Sequence, residues 1–591
     1  MSLDAKKQDG VKKFNPIIES GPAKNLFLGE ILEESIFPYP TYTDEERETV
    51  SSIVDSIDKL MQDKQSNFRD WDVAGAQPEE YIQELRDFGL FGLSVPEEMG
   101  GIGLSSSGYG RAVQQISSHD ASSSLTIAAH TSIGFKGLIL FGNEEQKAKY
   151  YPKLASGEMI AAFCLTEPGS GSDAGSIRTN AVKNEDGTWT LNGEKIWITN
   201  GPIAEFFTVF AKTGQDKGKL SAFIVERSFG GVSSGHKEDK MGIRASSTCT
   251  VRFDNVRVPA ENLLGIEGHG FKIAMSILNN GRAGLGAGCL GAMKQCINLA
   301  IAHAAERKQF GKSIGEFQLI KEKLSNMVVA CYATESLVHL TGRLIDEGVK
   351  DYSLESAMCK IFGSESLWAV SNDALQIAGG TGYMREYPYE RVVRDSRINL
   401  IFEGTNEVLR LFIALTGMKD AGQLLKEVGG AAANIFNEPI KGFGLLTDYA
   451  KRRLVQGSGV GRDKIGSAHE LLRPEATIIE IYALRLATAV DAVLRVHGSK
   501  IVDKQLIAKR LSDVAIDLMV SLAMLSRVSA SLNTKTVEQV DPEIQILRLF
   551  IAQAKRRMNQ NLRRLMRNED QLVDSLGTKL VEGGKYLWDT I

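Results

Sequence analysis

The chain has 591 residues, 43% hydrophobic and 24% charged; that is enough apolar material for several packed cores and excludes wholesale disorder. Its 69 basic and 73 acidic side chains leave a net charge of −4, which excludes a globally basic nucleic-acid binder. Six cysteines, Cys164, Cys249, Cys289, Cys296, Cys331 and Cys359, show no CxxC spacing. They read as buried thiols of a reducing compartment, with no metal site and no disulfide framework.

Residues 1–42 read as an irregular arm punctuated by Pro16, Pro22, Pro38 and Pro40. The first twenty residues carry lysines without an apolar stretch, unlike a secretory signal. Asp4, Asp9 and the lack of Arg there argue against a mitochondrial presequence. The expected location is a bacterial cytoplasm, peripheral at the inner membrane if the chain binds lipid. A mature mitochondrial protein with its presequence removed would look the same. No apolar run is expected to reach the ~18 residues that a spanning helix needs.

From Thr43 the pattern turns helical, with acids at Asp44, Glu45 and Glu46 and apolar residues at Val50, Ile53, Ile57 and Leu60. Residues 43–158 are expected to form a helical N-terminal domain. The period then changes to short β-branched and aromatic runs, such as 206–210, 220–225 and 248–253, with turn dipeptides Asp186-Gly187 and Asn192-Gly193. Residues 159–267 are therefore a β domain. Helical patterns resume over 268–418, a Gly-rich stretch covers 419–473, and a further helical block covers 474–591. This order predicts an α+β fold, without the βαβ alternation of a Rossmann unit.

Five strings carry chemistry. Phe163-Cys164-Leu165-Thr166-Glu167-Pro168-Gly169-Ser170-Gly171-Ser172 is a small-residue loop after an apolar strand, where backbone N–H groups and hydroxyls can approach an anion. An ordinary Gly/Ser turn would also account for it. Trp197-Ile198-Thr199-Asn200-Gly201 sets a large aromatic beside a hydroxyl, which suits a planar ring cofactor; a core Trp on a β face is the alternative. Arg307-Lys308-Gln309-Phe310-Gly311, with Gln318 downstream, offers a partner for a diphosphate or a solvated helix-end cation. Gln376-Ile377-Ala378-Gly379-Gly380 permits close backbone approach to a ligand or merely caps a helix. In Ile401-Phe402-Glu403-Gly404-Thr405-Asn406-Glu407 a carboxylate sits between apolar neighbours, which would raise its pKa and suit a general base. A helix-entry acid is the other reading, and it fits Glu407 better than Glu403.

In this order and spacing, the five strings resemble the acyl-CoA dehydrogenase family of flavoenzymes over residues 45–417. The segment after 418 is similar to the extra C-terminal helical domain of the family's very-long-chain branch and of its relative, a respiratory complex I assembly factor. The resemblance implies an FAD-dependent dehydrogenase of fatty acid β-oxidation. It would convert long or very-long-chain acyl-CoA to trans-2-enoyl-CoA, with hydride passing to flavin N5. An electron-transfer flavoprotein would be the electron acceptor, and the chain would act as a homodimer with no nucleic-acid partner. An acyl-CoA oxidase using oxygen and an assembly or scaffold protein on the same fold are the competing readings.

Position by position, the resemblance makes Glu403 the base that removes the α-proton. Phe163, Leu165, Thr166, Gly171 and Ser172 match the loop along the flavin ring and diphosphate, and Ser172 also meets substrate. Trp197 and Ile198 match the segment packed on the isoalloxazine, and Thr199 the donor at N5. Arg307, Gln309, Phe310, Gln318, Gln376, Gly379 and Gly380 match FAD contacts made across a subunit interface. Thr405, Asn406 and Glu407 match further FAD contacts, and Asn279, Asn280, Gly281, Arg282 and Gly404 match substrate contacts. The branch keeps small residues where the acyl tail runs deep; here that stretch is Ala121-Ser122-Ser123-Ser124, small but more polar. Residues 429–466 and the basic cluster Lys555, Arg556, Arg557, Arg563, Arg564 and Arg567 are read as a peripheral membrane contact, or else as a linker and a solvated helix face.

Overall fold

Thr43 opens the first domain with a reciprocal cap: its hydroxyl accepts the N–H of Glu46, and the Glu46 carboxylate accepts the N–H of Thr43 at 2.9 Å. The computed structural model describes residues 19–214, 219–433, 463–586 and 588. After α1 (Asp44–Asp63) come α2 (Asn67–Ala74), α3 (Glu79–Asp87), α4 (Ser106–Ser117) and α5 (Ala121–Ala128). A π-turn, Ala129–Gly134, leads into α6 (Lys136–Phe141) and α7 (Glu144–Ala155).

One mixed sheet follows, built from β1 (Ala161–Cys164), β2 (Asn180–Lys183), β3 (Trp189–Thr199), β4 (Phe206–Thr213), β5 (Leu220–Glu226), β6 (Val232–Lys237), β7 (Thr248–Val258) and β8 (Leu263–Leu264). The order is β6-β7-β3-β2-β4-β5-β8, with β1 pairing parallel to β4. The β3–β7 register slips between Lys195 and Ile198, a bulge that re-aims the intervening side chains.

A helical bundle then forms from α8 (Gly270–Glu306), α9 (Gln318–Asp346), α10 (Ser353–Ala378), α11 (Tyr389–Arg397) and α12 (Asn406–Gly417). A two-stranded hairpin, β9 (Lys308–Gln309) and β10 (Lys312–Ser313), joins α8 to α9. Glycine in a helix costs about 1 kcal/mol against alanine, yet α8 keeps Gly291 because a Cβ there would lie 2.0 Å from the Gln114 carbonyl of α4.

The C-terminal domain contains α14 (Arg473–His497), α15 (Gln505–Thr534), α16 (Val537–Arg563) and α17 (Asp570–Gly583), after α13 (Lys419–Ala433). Helix α15 is long and apolar enough to cross a bilayer by composition, but its apolar side chains, Leu511 through Val528, are buried in the core shared with α9, α10 and α12.

Three expectations change. Over its described part, residues 19–42, the arm is not a loose lead-in: Ala23, Leu26, Phe27 and Ile36 are buried in that same core, because the apolar residues there find the C-terminal helices; residues 1–18 lie outside the described residues. The Gly-rich stretch begins as helix α13, since Leu and Ala outweigh the glycines there; residues 434–462, most of the membrane-contact segment, lie outside the described residues. The basic cluster is partly neutralised, Arg557 by the sequence-distant Asp517 at 2.5 Å and Arg564 by Glu569, five residues on, at 2.8 Å.

Candidate functional site

Glu403 and Gly404 connect α11 to α12 through two consecutive left-handed residues, φ 57° and 96°. That conformation costs a non-glycine residue roughly 1–2 kcal/mol. Two cations pin it: Arg282 Nε donates to the Glu403 carbonyl at 3.0 Å, and Lys360 Nζ donates to the Gly404 carbonyl at 2.8 Å. Among the described residues no backbone group accepts the N–H of Glu403. Thr405 then caps α12 through the N–H of Val408, and Glu407 is exposed.

The Glu403 side chain lies directly over the backbone of α8. A Cβ on Gly281 would sit 2.9 Å from each carboxylate oxygen and 2.8 Å from Ile133 Cγ2. One carboxylate oxygen is enclosed without a hydrogen-bond partner. Burial pushes the Glu403 carboxyl up to about 7, against the opposing charges of Arg282 and Lys360. Arg282 is itself oriented by Asn279 Oδ1 at 2.9 Å, and Asn280 donates to the Tyr352 hydroxyl.

A narrow channel of about 100 Å³ leads from Glu403 and Phe402 along α8. Gly281, Gly284, Gly288 and Ala292 form one wall, and Ala121, Ser124, Leu125 and Ala128 of α5 form the other. Of the three serines expected to make this stretch polar, Ser122 and Ser123 do not line it. The Ser123 hydroxyl turns to Asp120 at 2.8 Å and accepts from Tyr81 at 2.9 Å.

On the sheet, Trp197 occupies the β3 bulge with φ 57° and leaves 64% of its surface exposed. A large aromatic held open in a strained conformation is a platform for a planar ring. Thr166 and Thr199 flank it half-buried, Ile198 is buried beneath, and Phe163 and Leu165 anchor the loop from β1. Gly171 and Ser172 lie exposed at its tip, where a Cβ on Gly171 would meet nothing. The loop is fixed from inside by Lys195, which donates to the Leu165 carbonyl at 3.1 Å and to Glu167 at 2.7 Å. Burial disfavours the Glu167 charge, but Lys195 and the N–H groups of Arg178 and Thr179 outweigh it and hold the carboxyl below the usual range. Open glycines, two free hydroxyls and a bared indole face fit an isoalloxazine ring with its diphosphate.

The remaining residues are not brought to this place. Arg307, Gln309, Phe310 and Gln318 are exposed around the β9–β10 hairpin. Along α8, Arg307 is roughly 37 Å from Arg282 at 1.5 Å per residue. Phe310 has φ 53° and is 93% exposed. Gln376, Gly379 and Gly380 end α10, exposed, with open space around both glycines. Asn406 is buried and turned inward, accepting from Lys360 at 2.6 Å and donating to Glu365 and Ser364 at 3.1 Å. Its expected cofactor contact would therefore not come from the side chain as placed here.

Sequence reading missed Lys360 and Lys195. Both are fully buried lysines, a rarity that signals a built contact, and Lys360 stands beside the apolar Ala357, Met358 and Ile361. From Lys360 the network continues outward. Glu365 takes both Arg410 Nη atoms at 2.6 and 2.9 Å, and Arg410 Nε donates to Asp513 of α15 at 2.6 Å.

Family models match along the chain: acyl-CoA dehydrogenase N-terminal domain over 43–158, middle domain over 162–256, C-terminal domain over 268–417, and the ACAD9/ACADV C-terminal domain over 470–582. The human mitochondrial very long-chain specific acyl-CoA dehydrogenase is 46% identical over 524 residues, covering 86% of this chain and 79% of that one. The crystal structure of an acyl-CoA dehydrogenase complexed with FAD from Bacillus anthracis superposes with a TM-score of 0.79 at 32% identity, covering 95% of this chain and 94% of that one. Butyryl-CoA dehydrogenase from Megasphaera elsdenii superposes with a TM-score of 0.60 at 39% identity, covering 63% of this chain and 97% of its own.

Proposed function

As this chain belongs to the acyl-CoA dehydrogenase family, FAD-dependent oxidoreductases of fatty acid β-oxidation, we propose that it oxidises long or very-long-chain acyl-CoA to trans-2-enoyl-CoA with Glu403 as the base. The observation that carries this reading is the Glu403 carboxylate above Gly281, one of whose oxygens is enclosed without a hydrogen-bond partner. A base with a pKa near 7 combines a useful ionised fraction with real proton affinity.

An α C–H is a poor acid, so the thioester oxygen must be stabilised as charge develops. The free N–H of Glu403 is the donor the chain supplies, presented by the strained turn that Arg282 and Lys360 pin. Glu403 takes the proton while the walls of α5 and α8 hold the acyl chain and exclude water. FAD, bound against Trp197, supplies the two-electron oxidation. The small-residue wall from Gly281 to Ala292 runs roughly 16 Å, which supports a long tail.

The exposed Arg307–Phe310 corner and the Gly379-Gly380 end, too far from this chain's own Glu403, support a homodimer in which each chain completes its neighbour's FAD site. The resemblance supports an electron-transfer flavoprotein as acceptor. Exposed Lys555, Arg556, Arg563 and Arg567 around Met566, itself 79% exposed, support peripheral contact with anionic lipid, in a bacterial cytoplasm or a mitochondrion.

The test is a titration of the flavin spectrum with acyl-CoAs of increasing length, with peroxide measured on turnover. Bleaching that strengthens toward long chains without peroxide is the expected result. Bleaching by short chains alone, or stoichiometric peroxide, would overturn the substrate or the acceptor.

A further inference from the structure

On the other side of α8 from the Glu403 channel lies a cavity of about 930 Å³. Its lining comes from the arm at Phe37–Tyr42, helix α4 at Tyr109 and Arg111, the turn into α6 at Thr131, Ser132 and Lys136, helix α8 at Ala283 and Ala287, helix α9 at Glu335 and Val338, and the end of α15 at Ser526–Thr534. Neither Glu403 nor Trp197 lines it, and it shares only Ser132 and Gly284 with the channel. A single residue layer therefore separates the two spaces.

The wall is cationic. The lining holds Arg47, Arg111, Lys136, Arg527 and Lys535 with one carboxylate, Glu335; Arg47 and Lys535 are paired outside it with Asp44 and Glu543. Glu335 is already shared by Lys294 and by Arg527 at 2.8 Å. Lys136 has no hydrogen bond or ion pair among the described residues. The acid whose charge acts on it, Asp346, already accepts the Ser106 and Ser107 N–H groups of α4 at 2.6 and 3.1 Å. Arg111 finds only the neutral Gln115 amide at 3.1 Å. Burial holds both cations below their usual proton affinity, offset only in part by Asp346 at Lys136 and by Glu335, Asp55 and Asp58 at Arg111. Around them apolar Pro38, Pro40, Leu104, Ala287 and Val338 share the lining with hydroxyl groups such as Ser94, Thr131 and Ser132.

We propose that this cavity binds a long-chain carboxylate, its head on Lys136 and Arg111 and its chain along the back of α8. Two sources share that chemistry. One is a free fatty acid entering from the arm side. The other is the ω-carboxylate of a substrate tail that crosses the Ser132–Gly284 layer, and this second source rests on the acyl-CoA reading above.

The experiment uses the flavin-loaded full-length enzyme with its catalytic channel filled by a long-chain enoyl-CoA. Hexadecanoate should bind with one site per chain, and hexadecanol about tenfold more weakly, the worth of one charged hydrogen bond. Lys136→Met should weaken hexadecanoate by the same factor and Lys136→Arg should restore it. In a second arm, KM is compared for an acyl-CoA and its ω-carboxy analogue. A rise of about tenfold for the analogue alone in Lys136→Met assigns the substrate tail as the source. A change in the first arm alone assigns the free acid. Should Lys136→Met lose its flavin, Arg111→Met carries the same readouts. If hexadecanoate binds no better than hexadecanol and the analogue's KM does not move, the cavity is not a carboxylate site. Loss of turnover in a Glu403 variant would leave the first arm untouched, so the two readings fail separately.

Discussion

The ammonium of Lys360 donates to the carbonyl oxygen of Gly404 at 2.8 Å, one residue beyond Glu403. This contact both holds the strained turn and sets a positive charge near the base. Lys360→Met removes both. The charge favours the ionised carboxylate, so its loss raises the Glu403 pKa and shrinks the reactive fraction on the acid side. The rising limb of the kcat–pH profile should move to higher pH, with kcat down about tenfold at neutral pH. A variant with reduced kcat but an unmoved limb would assign Lys360 a purely structural part.

Glu403→Gln keeps shape and volume while abolishing the base. It should retain FAD and bind acyl-CoA, with flavin reduction slowed by about 10²–10⁴-fold. Stopped-flow reduction at a near-normal rate would reject Glu403 as the base.

Gly281→Ala tests the space above α8. Its methyl would lie 2.9 Å from both carboxylate oxygens, so the carboxylate must shift. A misplacement of that order should lower kcat roughly 10²-fold with a smaller change in KM. Unchanged kcat would show that the carboxylate works from elsewhere.

Phe310→Asp alters a ring that is 93% exposed in the single chain, so it removes no packing from that chain. If a second subunit covers this corner, the variant should sediment as a monomer and lose FAD. A flavin-loaded dimer in light scattering would place the interface elsewhere.

Glu355 of α10 is buried, accepts the Ala23 N–H of the arm at 2.8 Å, and burial raises its carboxyl to about 7. A carboxyl raised on folding contributes stability below its unfolded value, near 4.5, that is lost as pH rises through about 7. Glu355→Gln removes this dependence. At alkaline pH the variant should be more stable than the parent, by at most about 3 kcal/mol, and thermal melts across the pH range would show it.

Much of this was legible before any fold was known. The change of period near residue 160 marks the sheet because alternation is a local property of the chain. Trp197 and Glu403 stand out because their neighbours are unusual for an exposed aromatic and a helix-entry acid. What stayed hidden depends on contacts distant in sequence. Asp517 lies forty residues from Arg557, Glu355 lies 332 residues from Ala23, and the inward turn of Ser123 is set by Asp120 and Tyr81. Local composition made the Ala121–Ser124 wall look polar; the fold turns the Ser123 hydroxyl to Asp120 and Tyr81 and leaves only Ser124 of the three serines on the channel.

The ladder from Gly404 through Lys360, Asn406, Glu365 and Arg410 ends on Asp513, in a helix that shares one apolar core with the arm and with α12. Catalytic bundle and C-terminal domain are thus one cooperative unit with two names. Melting of the holoenzyme followed by flavin fluorescence and by far-UV circular dichroism should show flavin release and loss of helix in one coincident transition. A chain shortened to the length of the smaller relatives would expose Leu409 and Ile413 and strand Arg410 on one carboxylate. It should fail as a folded body before it fails as a catalyst.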